Sequence, residues 1–207
     1  MSLISFDMDD EQPQTRHAEV RRREALLQAA VARVEAAVGE ADPSLEAETD
    51  WYVAVLLDGM LRRAIVVEYR EWVGHCEDLL RDQLTRLGRD PELWSAQRRA
   101  VRGAELVALV RRVLLEELDA DLPDSVWDGL EELSTVAETI DDATLAARRS
   151  LRDRYPDYFS PMDPFGDGDE GGRLTITEEH AARAFAAVAA FWAPSRGLPY
   201  RLPRHRI

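Results

Sequence analysis

Apolar residues recur along this chain every three to four positions, a spacing that predicts helices from near its start to near its end. Between about Thr15 and Val38, the residues Val20, Leu27, Val31, Val34 and Val38 fall on one helical face. Asp42-Pro43-Ser44 interrupts that pattern and opens the next. Val53, Leu57, Met60, Ala64 and Val67 form a second stripe, which Tyr69, Val73, Cys76, Leu80, Leu84 and Leu87 continue after a slight change of phase. A pattern running from about Ser44 to Leu87 predicts either one long helix of a bundle or a helix that bends near Gly59 or Gly74.

Gly88-Arg-Asp90-Pro91 places a glycine past one helix end and a capped proline at the start of the next. That next helix is predicted to reach about Leu118, with Leu93, Val101, Ala104, Val107, Leu114 and Leu118 facing inward. Asp121-Leu-Pro123 begins another, on which Val126, Leu130, Leu133, Ala137, Ile140, Leu145 and Leu151 keep the period. A loop rich in Pro, Gly and Asp follows Tyr155-Pro156, and a last helix runs from Thr177 to about Trp192 with Ala181, Phe185, Val188 and Trp192 on one face. Alternating strand patterns and internal repeats are absent from the sequence. The expected fold is all-α, a bundle of five to six helices with an acidic N-terminal arm and a basic Pro/Arg-rich C-terminal tail. The corresponding division is 1–13 for an acidic flexible arm, 14–155 for the bundle, 156–193 for the acidic loop and final helix packed on it, and 194–207 for the tail. Trp51, Trp72, Trp94, Trp127 and Trp192 are expected in the core or lining grooves.

At 207 residues and 45% hydrophobic composition the chain is long enough for one well-filled core. Its formal charge of −14 argues against nucleic acid as the main partner, because such binding depends on cations that neutralise phosphate. All 26 basic residues are arginine; neither lysine nor asparagine occurs, as codon usage in a GC-rich genome would produce. Without lysine there is no Walker-type phosphate loop and no Schiff-base nucleophile. Cys76 is the single cysteine, which rules out an internal disulfide and a cysteine metal cluster. Met1 to Asp10 lacks a basic segment followed by an apolar run, and no apolar stretch reaches the ~20 residues of a membrane span. The expected setting is cytoplasmic, with no membrane. The final segment, Pro194 to Ile207, carries four arginines and no acid, and is expected to lie against the acidic body or a neighbouring copy.

The most specific chemical pattern is Asp167-Gly-Asp-Glu-Gly-Gly-Arg-Leu-Thr-Ile-Thr-Glu178. Two aspartates two places apart, a glycine where the chain must turn sharply, and a glutamate at a helix start suit a hard cation that gathers oxygens at about 2.3–2.6 Å. The stretch resembles an EF-hand calcium loop, over these residues only. The resemblance implies Asp167 and Asp169 as monodentate ligands, Arg173 through its backbone carbonyl, Thr175 through a water, and Glu178 through both carboxylate oxygens. Gly171 stands where a ligand side chain is usual, so water takes that place and affinity falls to roughly 10⁻⁵ to 10⁻³ M. Leu174 occupies the apolar place at which paired loops share a short strand contact. Thr175-Ile-Thr-Glu178 also reads as a capping box, which needs no metal.

Three other readings compete. Glu116 and Glu117 on one predicted helix, with Glu138 and Asp141 on the next, resemble the magnesium site of all-α nucleotide pyrophosphohydrolases, where the ion bridges carboxylates and substrate phosphates. Arg70-Glu-Trp-Val-Gly-His75 has the Arg-x4-His spacing of HEPN-type ribonucleases and implies an RNA-directed protein. The third is an ion-free helical assembly subunit. The reading adopted is a binding or regulatory protein rather than an enzyme, with Ca²⁺ as its candidate cofactor and a protein, or a second copy of itself, as its partner.

Overall fold

A computed structural model describes residues 11–39, 46–118, 120, 122–160 and 172–193. Seven α-helices lie among them: α1 Glu11–Gly39, α2 Glu46–Arg86, α3 Pro91–Ala100, α4 Gly103–Leu118, α5 Asp124–Asp142, α6 Leu145–Arg154 and α7 Glu178–Trp192. A single 3-10 turn at Pro156–Tyr158 follows α6. The fold is an all-α bundle. Its only β contact among the described residues is an isolated antiparallel bridge between Phe159 and Leu174. The basic tail 194–207 and the first ten residues of the acidic arm lie outside the described residues; α1 itself starts at Glu11, with Pro13 in the first turn, where its missing N–H costs nothing.

The number of helices exceeds the five to six expected because two long patterns are cut. Between α3 and α4 the chain passes through extended Val101, and Gly103 adopts φ +52°. A side chain at 103 would run into the Glu138 carboxylate, so glycine serves both the turn and the close approach of α5. Between α5 and α6, Ala143 takes a left-handed conformation (φ 48°) and Thr144 caps the new helix by accepting the Ala147 N–H. Apolar period continues across both cuts, which is why it does not reveal them. Leu145, expected inward, is exposed for the same reason: it opens α6 instead of continuing α5.

The long second pattern forms one uninterrupted helix, with no break at Gly59 or Gly74. Its buried line is Leu61, Ile65, Glu68, Trp72, Cys76, Leu80 and Leu84, while Val67 and Leu87 lie at the margin of exposure. The phase differs from the expected stripe because α2 is packed by α1, α5 and α7 around much of its girth, not along one seam. α7 is the other inner helix, and its Ala-rich sequence lets it sit close to α1, α2 and α5. Where these helices meet, Phe191 stands edge-on to Trp72 and to Trp127, with ring centroids 5.7 Å and 6.0 Å apart. Trp94 and Trp192 are buried as expected; Trp51 is not.

One ion pair sets how α1 lies on α2. Glu68 is fully buried, and Arg23 donates to both its oxygens, from Nε at 2.8 Å and from Nη2 at 2.9 Å. Burial pushes the Glu68 carboxyl up, against the pull of the Arg23 guanidinium. On the other side of α1, His17 Nδ1 donates to the Ala189 carbonyl of α7 at 2.8 Å. Removing one partner of a buried pair strands the other, at a cost of about 3–5 kcal/mol. Arg23→Met should therefore lower stability by that order in a denaturant melt. Adding Glu68→Met should restore most of it. In the single variant Glu68 has a raised folded-state pKa and favours folding only when protonated, so the loss should be smaller at pH 5 than at pH 8.

Candidate functional site

The described half of the loop, residues 172–178, is held in place by α2 from one side and by the 156–160 segment from the other. Asp58 and Arg62 lie one turn apart on α2 and pair at 2.7 Å. The Asp58 carboxylate accepts the Ile176 N–H at 3.1 Å, and Arg62 donates to the Leu174 carbonyl. Opposite them, Ser160 N–H donates to the Arg173 carbonyl (3.1 Å) and Thr175 N–H to the Tyr158 carbonyl (2.8 Å). Gly172 makes the turn at φ +71°; a Cβ there would lie 2.5 Å from the Ser160 carbonyl oxygen. Leu174 and Ile176 are buried between these anchors. Every backbone polar group of the stretch that is pinned has a named partner, as an irregular segment against a core requires.

Thr177, not Thr175, caps α7. Its hydroxyl accepts the His180 N–H, and His180 Nδ1 accepts the Thr177 N–H at 3.1 Å, which closes a capping box with histidine in the usual Glu/Gln place. The expected Thr175–Glu178 box is therefore corrected. The sequence reading placed the cap two residues early because it required an acid or amide three positions on. Glu178 becomes the first residue of α7, exposed, with no ion pair or hydrogen bond among the described residues, whereas its neighbour Glu179 lies 3.7 Å from Arg183.

Of the proposed ligands, Arg173, Thr175 and Glu178 are described; Asp167 and Asp169, with Gly171, lie outside the described residues. The Arg173 carbonyl already accepts from Ser160 N–H and from the Thr175 hydroxyl (3.3 Å), which leaves it in an ordered position facing the 160 side. Leu174 does form a single-residue strand contact, but with Phe159 in place of a second loop. No group of three or more His, Cys, Asp or Glu side chains is arranged to hold a metal ion among the described residues.

A polar network that the sequence did not announce adjoins this segment. Tyr158 donates to Glu132 at 2.7 Å and stacks on His180 with ring centroids 3.9 Å apart. Arg183 binds Glu132 (3.1 Å from Nε) and Asp157 (2.6 Å from Nη2), and His180 Nε2 faces Asp157 at 3.4 Å. Because Nδ1 accepts a backbone N–H, the neutral ring carries its proton on Nε2. Burial and the Arg183 charge hold the His180 pKa below its ordinary value. Burial alone would raise Asp157, but the Arg183 guanidinium keeps it low; burial and the hydrogen bond to Glu132 push the Tyr158 hydroxyl up. With Nδ1 committed to the cap and Arg183 doubly paired, the network braces the start of α7.

The carboxylates of the magnesium reading are not brought together. Glu117 lies by Arg89 at the C-terminal end of α4, whereas Glu138 accepts the Gly103 N–H at that helix's start. Fourteen residues of helix, about 20 Å, separate the two ends. Glu138 and Asp141 instead line a cleft of about 450 Å³ with Tyr69, Arg98 and Arg102. Arg70 also reaches this cleft and pairs with Asp141 at 2.8 Å, while His75 turns to the other side of α2 and meets Trp192 edge-on at 6.2 Å. Within one chain, Arg70 and His75 serve different surfaces.

No protein family, curated protein or solved structure matches the chain. No described helix is long and apolar enough to cross a membrane.

His180 yields a signed pH dependence. Its folded pKa is depressed below the usual 6.5, so the unfolded chain binds the proton more readily. The contribution of neutral His180 is intact above about pH 6.5 and is lost as pH falls toward the folded-state pKa. His180→Gln should remove that part of the acid-side slope in melts between pH 7.5 and 5, leaving Asp157 to act at lower pH. Below pH 6 the difference between variant and wild type should shrink.

Proposed function

We propose that this chain is a helical binding protein whose Asp167–Glu178 loop takes one calcium ion at low affinity, next to the start of α7. The observation that carries the reading is the position of Glu178. His180 fills the capping role that would otherwise occupy the Glu178 carboxylate, which stands exposed at the helix start and keeps both oxygens for a cation. The anchors on Leu174 and Ile176 hold the backbone on the approach to that carboxylate, so little ordering is left to do on this side of the loop. The positive end of the α7 dipole favours a carboxylate at that place and disfavours a cation, which adds to the weakness expected from the missing ligand at Gly171.

Asp167 and Asp169 complete the ligand set in this reading; the Arg173 carbonyl and a water on Thr175 join it only in competition with the hydrogen bonds that this carbonyl accepts from Ser160 N–H and the Thr175 hydroxyl. The role in this reading is binding or regulation, since the polar network beside the loop, Glu132, Asp157, His180 and Arg183, is committed to pairing and to capping α7. Calcium would raise stability by mass action, by about 2.7 kcal/mol at a hundredfold excess over its dissociation constant. Calorimetry at millimolar calcium should show one weak site, and chelator should lower the melting temperature. Glu178→Gln should nearly abolish the heat and Asp167→Asn should weaken it, while neither changes the calcium-free melt by more than about 1 kcal/mol. Absence of binding heat together with a chelator-insensitive melt would refute the reading.

A further inference from the structure

The N-terminal part of α2 carries an apolar face that nothing in the described structure covers. Trp51, Tyr52 and Leu56 are 61%, 64% and 54% exposed, and Val55 is more than a third exposed. Scattered single exposures are ordinary; four apolar residues within two turns, on the side of the helix away from Leu57, Leu61 and Ile65, are not. Trp51 and Tyr52 pack edge to face at 5.3 Å, which holds both rings at the surface.

Spacing along this face is specific. Tyr52, Leu56, Gly59 and Arg63 succeed one another at steps of four, three and four, the rhythm of a helix-pairing seam. Gly59 is exposed and a side chain added there would meet nothing within 4 Å, so it leaves a notch in the stripe. Arg63 is exposed and makes no ion pair among the described residues, although the chain is rich in acids. A two-fold axis between Leu56 and Gly59 superposes the seam on itself in antiparallel order. Leu56 of one copy then falls over the partner's Gly59, and Tyr52 falls opposite the partner's Arg63, a ring and a guanidinium that attract when stacked. Each feature of the stripe thereby finds its complement on the same stripe.

We propose that this face joins two copies of the chain, α2 against α2, in an antiparallel two-fold dimer. The inference is independent of the calcium reading, since Glu178 and the loop take no part in the seam. The four exposed apolar side chains offer on the order of 400 Å² per copy. Two such faces with their rims approach the lower bound of about 1,200 Å² for specific interfaces, so the dimer is reversible and dilutes apart. Isologous pairing places the apolar knob, Leu56, and the notch that receives it, Gly59, on one helix face.

Light scattering and sedimentation from micromolar to hundreds of micromolar concentration should show the mass rising from 23.4 kDa toward twice that value. Leu56→Asp should give monomer at every concentration with an unchanged far-UV spectrum. Gly59→Gln should raise the melting temperature of the dilute chain, because glutamine is the better helix former, and yet weaken dimerisation at least tenfold by filling the notch. Arg63→Tyr and Tyr52→Arg should each weaken the dimer, and the double variant should recover it, since the exchange restores both cross-copy pairs. A monomer throughout the range would overturn the proposal, and would leave the stripe to a different protein or to the chain's own terminal segments. A dimer that survives Leu56→Asp, or one weakened by the single exchanges and not recovered in the double, would overturn it as well.

Discussion

A helix of 41 residues, about 60 Å long, cannot be enclosed along its whole length by a domain of this size, and the architecture follows from that constraint. α3, α4, α5 and α7 surround the C-terminal part of α2, where Trp72 and Leu80 lose all contact with solvent. Toward its N-terminus, among the described residues, the cover thins to α1, the start of α7 and the short segment after Gly172. The fully buried Glu68 sits where the two regimes meet. A carboxylate there is tolerable only with Arg23 on both oxygens, so the ion pair fixes the rotation of α1 about α2 as well as its height. Once α1 is placed, α7 has one remaining slot, between α1 and α5, and the start of α7 sets where the candidate loop must end.

The candidate site thus hangs on side chains far from it in sequence. Asp58 and Arg62 act on the backbone of Leu174 and Ile176, more than a hundred positions away. The Tyr158–His180 stack and the Arg183 pairs hold the same region from α5 and the 3-10 turn. Glu178 emerges from a braced helix start, which separates two questions that a sequence motif merges: whether the helix is capped, and whether the carboxylate is available. Here the first is answered by Thr177 and His180, and the second follows from it.

How much of this was legible in the sequence depends on the range over which each signal acts. Helical period acts within one element, and it located the helical segments, the all-α class and about half of the buried hydrophobic residues, Leu61 and Ile65 of α2 being among those it missed. It was silent about the cuts at Gly103 and Ala143, because a break of one or two residues leaves the period running. It misplaced Trp51 and Leu145 because periodicity says which residues share a face, not whether a neighbour covers that face. The Asp58–Arg62 clamp and the Glu132–Asp157–Arg183 network were invisible for a simpler reason: each joins elements whose relative placement only the packed bundle defines. Thr177 as cap could have been found, had histidine been admitted as a partner that accepts through Nδ1. The acidic start of the loop was the most conspicuous feature of the sequence, yet the structural information falls on its second half.

Exclusive use of arginine, which codon composition accounts for at the level of the sequence, has a consequence in the fold. Arg62 binds the Asp58 carboxylate with Nε and the Leu174 carbonyl with Nη2, from one planar group. Arg183 divides in the same way between Glu132 and Asp157, and Arg148 reaches the Gly172 carbonyl from α6. A lysine ammonium offers a point charge that satisfies one such partner well but does not hold two at a fixed angle. The segment around 172–176 therefore owes its shape to forked donors that grip side chain and backbone together. In a chain with a large excess of acids, the same chemistry engages exposed arginines such as Arg21, Arg81 and Arg89, whereas Arg63, on the same face of α2 as the uncovered Tyr52, makes no ion pair among the described residues and keeps its planar group free to stack.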